Sequence, residues 1–275
     1  MTHSTPATPA IRPAAVAGAF YPGSASALAR DLRVLLAGAS AAKAWRPKAI
    51  IAPHAGYVYS GPIAASVYGP LRALRASIRR VVLLGPTHRV AVNGLALPST
   101  SGFATPLGVV PLDAAAIADI AALPQVVVSD AAHAMEHSLE VQLPFLQSVL
   151  DDFTLVPLAV GRALAAQVAE VLERLWGGDE TLIVISSDLS HYLPYAVARE
   201  TDAETARRIV ALDPPLDHQQ ACGATPVNGL LLAARRHGLQ AQLIDLRNSG
   251  DTAGDRSRVV GYGAFAFATA SANVH

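Results

Sequence analysis

One cysteine is the whole thiol complement of this 275-residue chain, so no intramolecular disulfide can form. That fits a reducing compartment and leaves the Cys222 thiol for packing, redox chemistry or metal binding. Neither sign of charge is in excess, with 21 Lys and Arg against 21 Asp and Glu. Basic residues do not gather on one segment to neutralise a run of phosphates, so nucleic acid is not an expected partner. Long apolar runs are lacking too. The apolar content is 52%, yet runs such as 81–84 and 182–185 have strand length, well short of the ~20 residues of a membrane helix. No membrane span is expected. Residues 1–6 carry neither the basic nor the apolar stretch of a signal peptide, and Pro6, Pro9 and Pro13 predict a flexible lead over residues 1–15. The expected location is cytoplasmic.

No composition break, linker or repeat divides the rest, and residues 16–275 are expected to form one domain that buries roughly 75% of its unfolded surface. Apolar strand patterns occur at 49–52, 80–84, 95–97, 126–129, 154–160, 181–186, 243–246 and 259–268. Helical patterns lie at 24–37, 63–74, 114–122, 138–150, 163–175, 198–212 and 227–237, the first with Ser24 as cap and Gly38 as stop. This alternation predicts an α/β fold, a mixed and mostly parallel sheet with helices on both faces.

Polar residues follow directly on the buried strands, at Pro53-His54, Gly85-Pro86-Thr87-His88 and Ser187-Asp188-Leu189-Ser190-His191. Parallel strands end on one edge of a sheet, where ligands bind in open α/β folds, so these side chains converge without being close in sequence. Each histidine alone reads equally well as a loop residue satisfying a carbonyl; three such endings point to metal binding or acid/base chemistry. Gly56 and Gly61 would let the backbone near His54 approach a ligand. Asp188 stands three residues before His191, where it could orient that imidazole or cap the next helix. Ser60 and Thr87 read as loop-capping hydroxyls or as donors to a bound anion.

His133-Ala-Met-Glu136-His137 matches the His-x-x-Glu-His pattern of inverted zinc peptidases. That pattern needs both histidines on one helix. Here the helical periodicity starts at Ser138, with Pro144 suited to a first turn, which leaves 133–137 in a loop. Residues 248–255 read as a turn-rich connection between two late strands, and Trp45 and Trp176 as packing residues.

Taken in order, Pro53-His-Ala-Gly-Tyr57, Leu84-Gly-Pro-Thr-His88, Glu136-His-Ser-Leu-Glu140, Ser186-Ser-Asp-Leu-Ser-His191, Cys222-Gly223 with Pro226, and Asn248-Ser-Gly-Asp-Thr252 resemble the Memo family over about 17–267. The resemblance implies a fold like that of class III extradiol dioxygenases, which are non-haem iron enzymes. It implies His54, His88 and Cys222 as metal ligands, with Asp188, His191 and His137 in the same pocket as catalytic residues. A thiolate in place of the usual carboxylate softens the ligand set, so Fe(II) is expected first, then copper, with zinc third. The implied activity is a metal-dependent, dioxygenase-like oxidation of a small molecule or peptide. The alternative is a metal- or peptide-binding module without turnover. Prokaryotic relatives imply AMMECR-type and radical SAM proteins as partners.

Overall fold

A computed structural model describes residues 10–39 and 46–269. In chain order these form β1 (Ile11–Arg12), α1 (Ala25–Ala37), β2 (Ala49–Ala52), α2 (Tyr57–Tyr68), β3 (Arg80–Pro86), β4 (Leu95–Leu97), β5 (Gly102–Thr105), β6 (Gly108–Pro111), α3 (Ala114–Ile120), β7 (Val126–Val128) and α4 (Asp130–Ala134). There follow α5 (Leu143–Val149), β8 (Thr154–Val160), α6 (Ala165–Arg174), β9 (Thr181–Ser186), β10 (His191–Leu193), α7 (Tyr195–Val210), α8 (Ala224–Arg236), β11 (Leu239–Asn248) and β12 (Val259–Thr269).

The main sheet runs β10-β12-β2-β9-β3-β8-β4-β7, with β11 also paired to β12. Its centre, β2-β9-β3-β8, is parallel, while β12 and β4 join it antiparallel on either side. The sheet is therefore mixed, and its parallel part is the part with continuous apolar strands, as expected where helices cover both faces. Alternation along β3 divides the core into two layers. Val81 and Leu83 pack with Leu28, Ile63 and Leu146 from α1, α2 and α5; Val82 and Leu84 pack with Val168, Ile209 and Leu230 from α6, α7 and α8. This single-domain arrangement is compatible with the class III extradiol dioxygenase-like fold expected from the resemblance.

Several elements differ from the local pattern. Helix α2 begins at Tyr57 rather than residue 63, although Gly61 and Pro62 are weak helix formers; burial of Tyr57, Ser60 and Gly61 against the core outweighs that propensity. The helix expected over 138–150 is a 3-10 turn, Glu140–Gln142, followed by α5 with Pro144 in its first turn. Strands β1, β5, β6 and β10 carried no apolar signal.

The lead expected over 1–15 is corrected in part. Arg12 is buried, and β1 pairs in parallel with β5, so the folded domain starts before residue 16. Its physical cause is the buried carboxylate of Glu140, described below, which draws the Arg12 guanidinium inside. Residues 1–9 and Trp45 lie outside the described residues. Trp176 packs its indole against the His237 ring, centroids 3.7 Å apart. Among the described residues no helix is long and apolar enough to cross a membrane.

Candidate metal centre

His54, His88 and Asp188 each stand two residues beyond the end of a strand, β2, β3 and β9 respectively. Because β9 lies between β2 and β3 and all three are parallel, the three loops meet on one sheet edge. Cys222 comes to the same edge from the segment that leads into α8. Its N–H donates to the Asp188 carbonyl at 3.2 Å, and the next N–H, of Gly223, donates to Ser187 Oγ at 2.9 Å. A Cβ at residue 223 would lie 2.7 Å from Ser187 Cβ, so only glycine lets the two loops touch.

Hydrogen bonds on the far side of each ring decide which nitrogen faces the pocket. Ser186 Oγ donates to the Ser138 carbonyl at 2.6 Å and accepts from Gln142 Nε2 at 2.8 Å. Its proton is thus spent, and at 2.9 Å from His54 Nδ1 it accepts a proton from that ring. His54 Nε2 is left as a bare acceptor, 3.3 Å from Cys222 Sγ. His88 follows the same rule: Nδ1 lies 2.8 Å from Glu136 Oε1, a carboxylate that can only accept. Its Nε2 is likewise freed.

The His54, His88 and Cys222 donor atoms lie within 4.8 Å of one another. Metal–nitrogen and metal–sulfur bonds of about 2.0–2.3 Å place neighbouring ligands about 3.5 Å apart in a tetrahedron, close to the His54–Cys222 separation. The donor set therefore fits a transition-metal ion. Burial, with His137 and His88 nearby, holds His54 well below the usual imidazole range, so it stays neutral, as a ligand must be. Burial and the Asp188 charge push the Cys222 thiol up to about 12; a bound cation reverses that, since a coordinating thiol loses its proton.

Glu136 is the residue the sequence reading left out of the site. Its carboxylate takes the His88 backbone N–H at 2.6 Å as well as the ring, and the Ser138 N–H at 2.9 Å. Burial alone would raise its pKa, but these bonds outweigh it and hold the carboxyl at about 2. The result is a carboxylate–histidine pair of the kind that orients metal ligands and raises their basicity. Glycine again permits the approach. Ser138 Oγ donates to the Pro86 carbonyl, and a Cβ on Gly85 would stand 2.8 Å from that oxygen.

His137 joins the cluster as expected. Its ring lies 4.5 Å from that of His88 and 5.4 Å from that of His54, with Phe20 packed on it at 4.7 Å. Burial pushes it down to about 4. His191 is close enough for its charge to bear on His54, but Asp188 does not orient it. Its Nδ1 donates to the Leu189 carbonyl at 2.9 Å. Asp188 Oδ1 instead accepts the His54 backbone N–H at 2.7 Å, and its carboxyl is raised by burial to about 7. It braces the His54 loop and caps no helix.

Two other local readings are corrected. Gly56 has φ −56° and simply precedes α2, while Gly61 packs on Leu35; neither is needed for approach to a ligand. Ser60 Oγ donates to the Ala55 carbonyl, the loop-capping role. The loop expected over 133–137 is corrected in part: His133 lies in α4 and His137 beyond its end, which still breaks the peptidase pattern. His133 Nε2 donates to the Ala96 carbonyl at 2.8 Å, away from the cluster. The turn-rich 248–255 segment connects β11 to β12, as its composition suggested.

A mixed α/β sheet whose parallel strand ends carry two tautomer-fixed histidines, joined by a thiol from the segment before α8, defines a candidate non-haem metal protein, and comparison with known proteins places it more closely. The profile of the Memo-like protein family matches residues 12–266; the chain belongs to the Memo family. It is 37% identical to a MEMO1 family protein of Ignicoccus hospitalis, covering 94% of this chain and 98% of that relative. Identity is also 37% to a MEMO1 family protein of Aquifex aeolicus, over 92% of this chain and 97% of the relative. Among solved structures, the crystal structure of the uncharacterized protein JW3007 from Escherichia coli K12 superposes with a TM-score of 0.52 at 15% identity, covering 78% of this chain and 98% of that one. At that identity the likeness concerns the fold alone.

Proposed function

We propose that His54, His88 and Cys222 hold a non-haem metal, Fe(II) first, copper next and redox-inert zinc third, and that with iron or copper bound the protein is a dioxygenase-like oxidoreductase acting on a small molecule or peptide. The observation that carries this reading is the pair of imidazoles whose Nε2 atoms are left bare by their own hydrogen-bond networks, beside a thiol at ligand distance. Two nitrogens and one soft sulfur suit iron, copper and zinc better than magnesium or calcium. When bound, the ion supplies redox capacity and vacant coordination positions for reactants.

The chain's own residues do the rest. His191 is the base: its Nδ1 proton is tied to the Leu189 carbonyl, so Nε2 is basic, and burial keeps the ring neutral and able to accept a substrate proton. Neutral His137, held between Phe20 and His88, positions the substrate against the cluster. Asp188 and Glu136 keep the His54 and His88 loops in place, one through a backbone N–H and the other through ring and backbone together. The proposed partners are AMMECR-type and radical SAM proteins, tested by affinity capture of tagged protein from its own cells.

Metal analysis of anaerobically purified protein beside Cys222→Ser and His54→Ala, with a visible spectrum of each, tests the reading. Near-stoichiometric iron or copper, lost in both variants, supports a redox centre and calls for an oxygen-uptake screen. A wild type that stays metal-free after reconstitution overturns it in favour of a binding module.

A further inference from the structure

A cavity of about 420 Å³ opens beside the cluster, with His88 and Cys222 in one wall. That volume lies in the range of small-molecule sites. A further stretch of wall comes from the ends of β3 and β8 and the turn after β8, where residues 92–94 and 160–162 approach so closely that a Cβ on Gly161 would fall 2.1 Å from the Val92 carbonyl oxygen. Arg162 lies on this wall and is exposed. Among the described residues its guanidinium has no ion pair at 4.0 Å or less, a feature it shares with other exposed arginines such as Arg33 and Arg72.

The rest of the lining mixes small apolar residues with a few polar ones. Asn93, His218 and Thr225 face the cavity, and no Asp or Glu lines it. His218 and Thr225 are mutually engaged, Thr225 Oγ1 to His218 Nε2 at 3.3 Å with His218 Nδ1 toward the Cys222 carbonyl at 3.2 Å. They form a fixed wall, and Arg162 is the cation of this lining. Arginine presents a planar fork that matches carboxylate or phosphate oxygens.

We propose that the cavity is a two-point substrate site in which the reacting end meets the His54, His88 and Cys222 cluster and an anionic group, carboxylate or phosphate, pairs with Arg162. The proposal rests on the metal reading above and adds the substrate class: a small molecule or peptide end that carries a negative charge one cavity width from the reacting atoms. Neutral substrates would bind only through the metal end.

The test uses zinc-loaded protein, which is redox-silent, and isothermal titration with three hydroxamates. Acetohydroxamate engages the metal alone, the monohydroxamate of succinate adds a carboxylate, and 3-phosphonopropionohydroxamate adds a phosphonate. The anionic probes are expected to bind about tenfold more tightly than acetohydroxamate, one charge-assisted contact. That advantage falls away in Arg162→Ala and is partly kept in Arg162→Lys, with zinc content unchanged; the better of the two anionic probes names the anion. Equal binding of all three by the wild type overturns the subsite while leaving the metal centre standing. Should the protein take up no metal, the metal reading fails, and the subsite is read in metal-free protein from the Arg162 side-chain NMR signal during titration with inorganic phosphate. A saturable shift supports it and a flat titration overturns it.

Discussion

Replacing Glu140 with alanine removes the anchor of the N-terminal segment, and the cost can be worked from its partners. Glu140 is fully buried and is paired with Arg12. It also accepts the Tyr21 hydroxyl at 2.5 Å, the Ala15 N–H at 2.8 Å and the Val16 N–H at 3.0 Å. Arg12 passes the constraint on to the metal centre, donating through Nε to the His133 carbonyl at 2.8 Å and through Nη2 to the Glu136 carbonyl at 2.7 Å. Without Glu140 the guanidinium is a buried charge with no counter-charge, a loss of about 3–5 kcal/mol. Three donors are left unsatisfied as well, but partial relaxation makes these costs overlap rather than add. Against a total stability of about 5–15 kcal/mol, the variant forfeits about a fifth or more. Urea unfolding followed by circular dichroism should show a lower midpoint with an unchanged slope. Replacing both partners with apolar residues, Arg12→Met with Glu140→Leu, should cost less than the sum of the two alanine variants, because no charge is stranded. A Glu140→Ala loss below about 1 kcal/mol would refute the claim that this pair holds the segment.

Glu136→Gln should leave the fold intact but lower metal affinity about 10–100-fold, because a neutral amide no longer fixes the His88 ring or raises its basicity; competition with a chelator measures this. Metal uptake at neutral pH should release the Cys222 proton, since that thiol, at about 12, is protonated beforehand. Titration calorimetry in two buffers of different ionisation enthalpy should show one proton fewer released by Cys222→Ser than by the wild type. For Asp188 the folded value of about 7 lies above the ordinary 3.8, so the folded state holds the proton longer. Its contribution to stability therefore falls as pH rises from about 4 to about 7 and is level above that. Metal-free Asp188→Asn should lack this decline; urea midpoints of the two proteins that run parallel across the window would contradict it.

The strands at the centre of the sheet were legible because they are buried on both faces and so read as short apolar runs. Strands β2, β4, β8 and β9 match their expected bounds, and β3 extends by two residues. The peripheral strands β1, β5, β6 and β10 were not legible. They are two to four residues long, too short to show a pattern, and what makes them strands is a partner brought by the fold, Phe103 of β5 beside Arg12 or Val260 of β12 beside His191. The N-terminal segment was misread for the same reason. Three prolines suggest a loose lead, and the buried carboxylate that draws in Arg12 is 128 residues away.

At the site, the positions of His54, His88 and Asp188 were determined by sequence alone. A residue just past a buried parallel strand must emerge on the ligand-binding edge, and that is a local property of strand length and loop start. The same strand-end pattern pointed to His191, and family motifs added Cys222 and His137 to the set. The tertiary structure alone decided which ring nitrogen each histidine presents, that Glu136 supports His88, and that Asp188 braces a backbone N–H instead of orienting His191. It also decided that Arg162 faces the cavity without a counter-charge. Tautomers, desolvation and pairing depend on atoms from distant parts of the chain, such as Ser186 behind His54. The spacing of residues along one strand or loop carries no information about them.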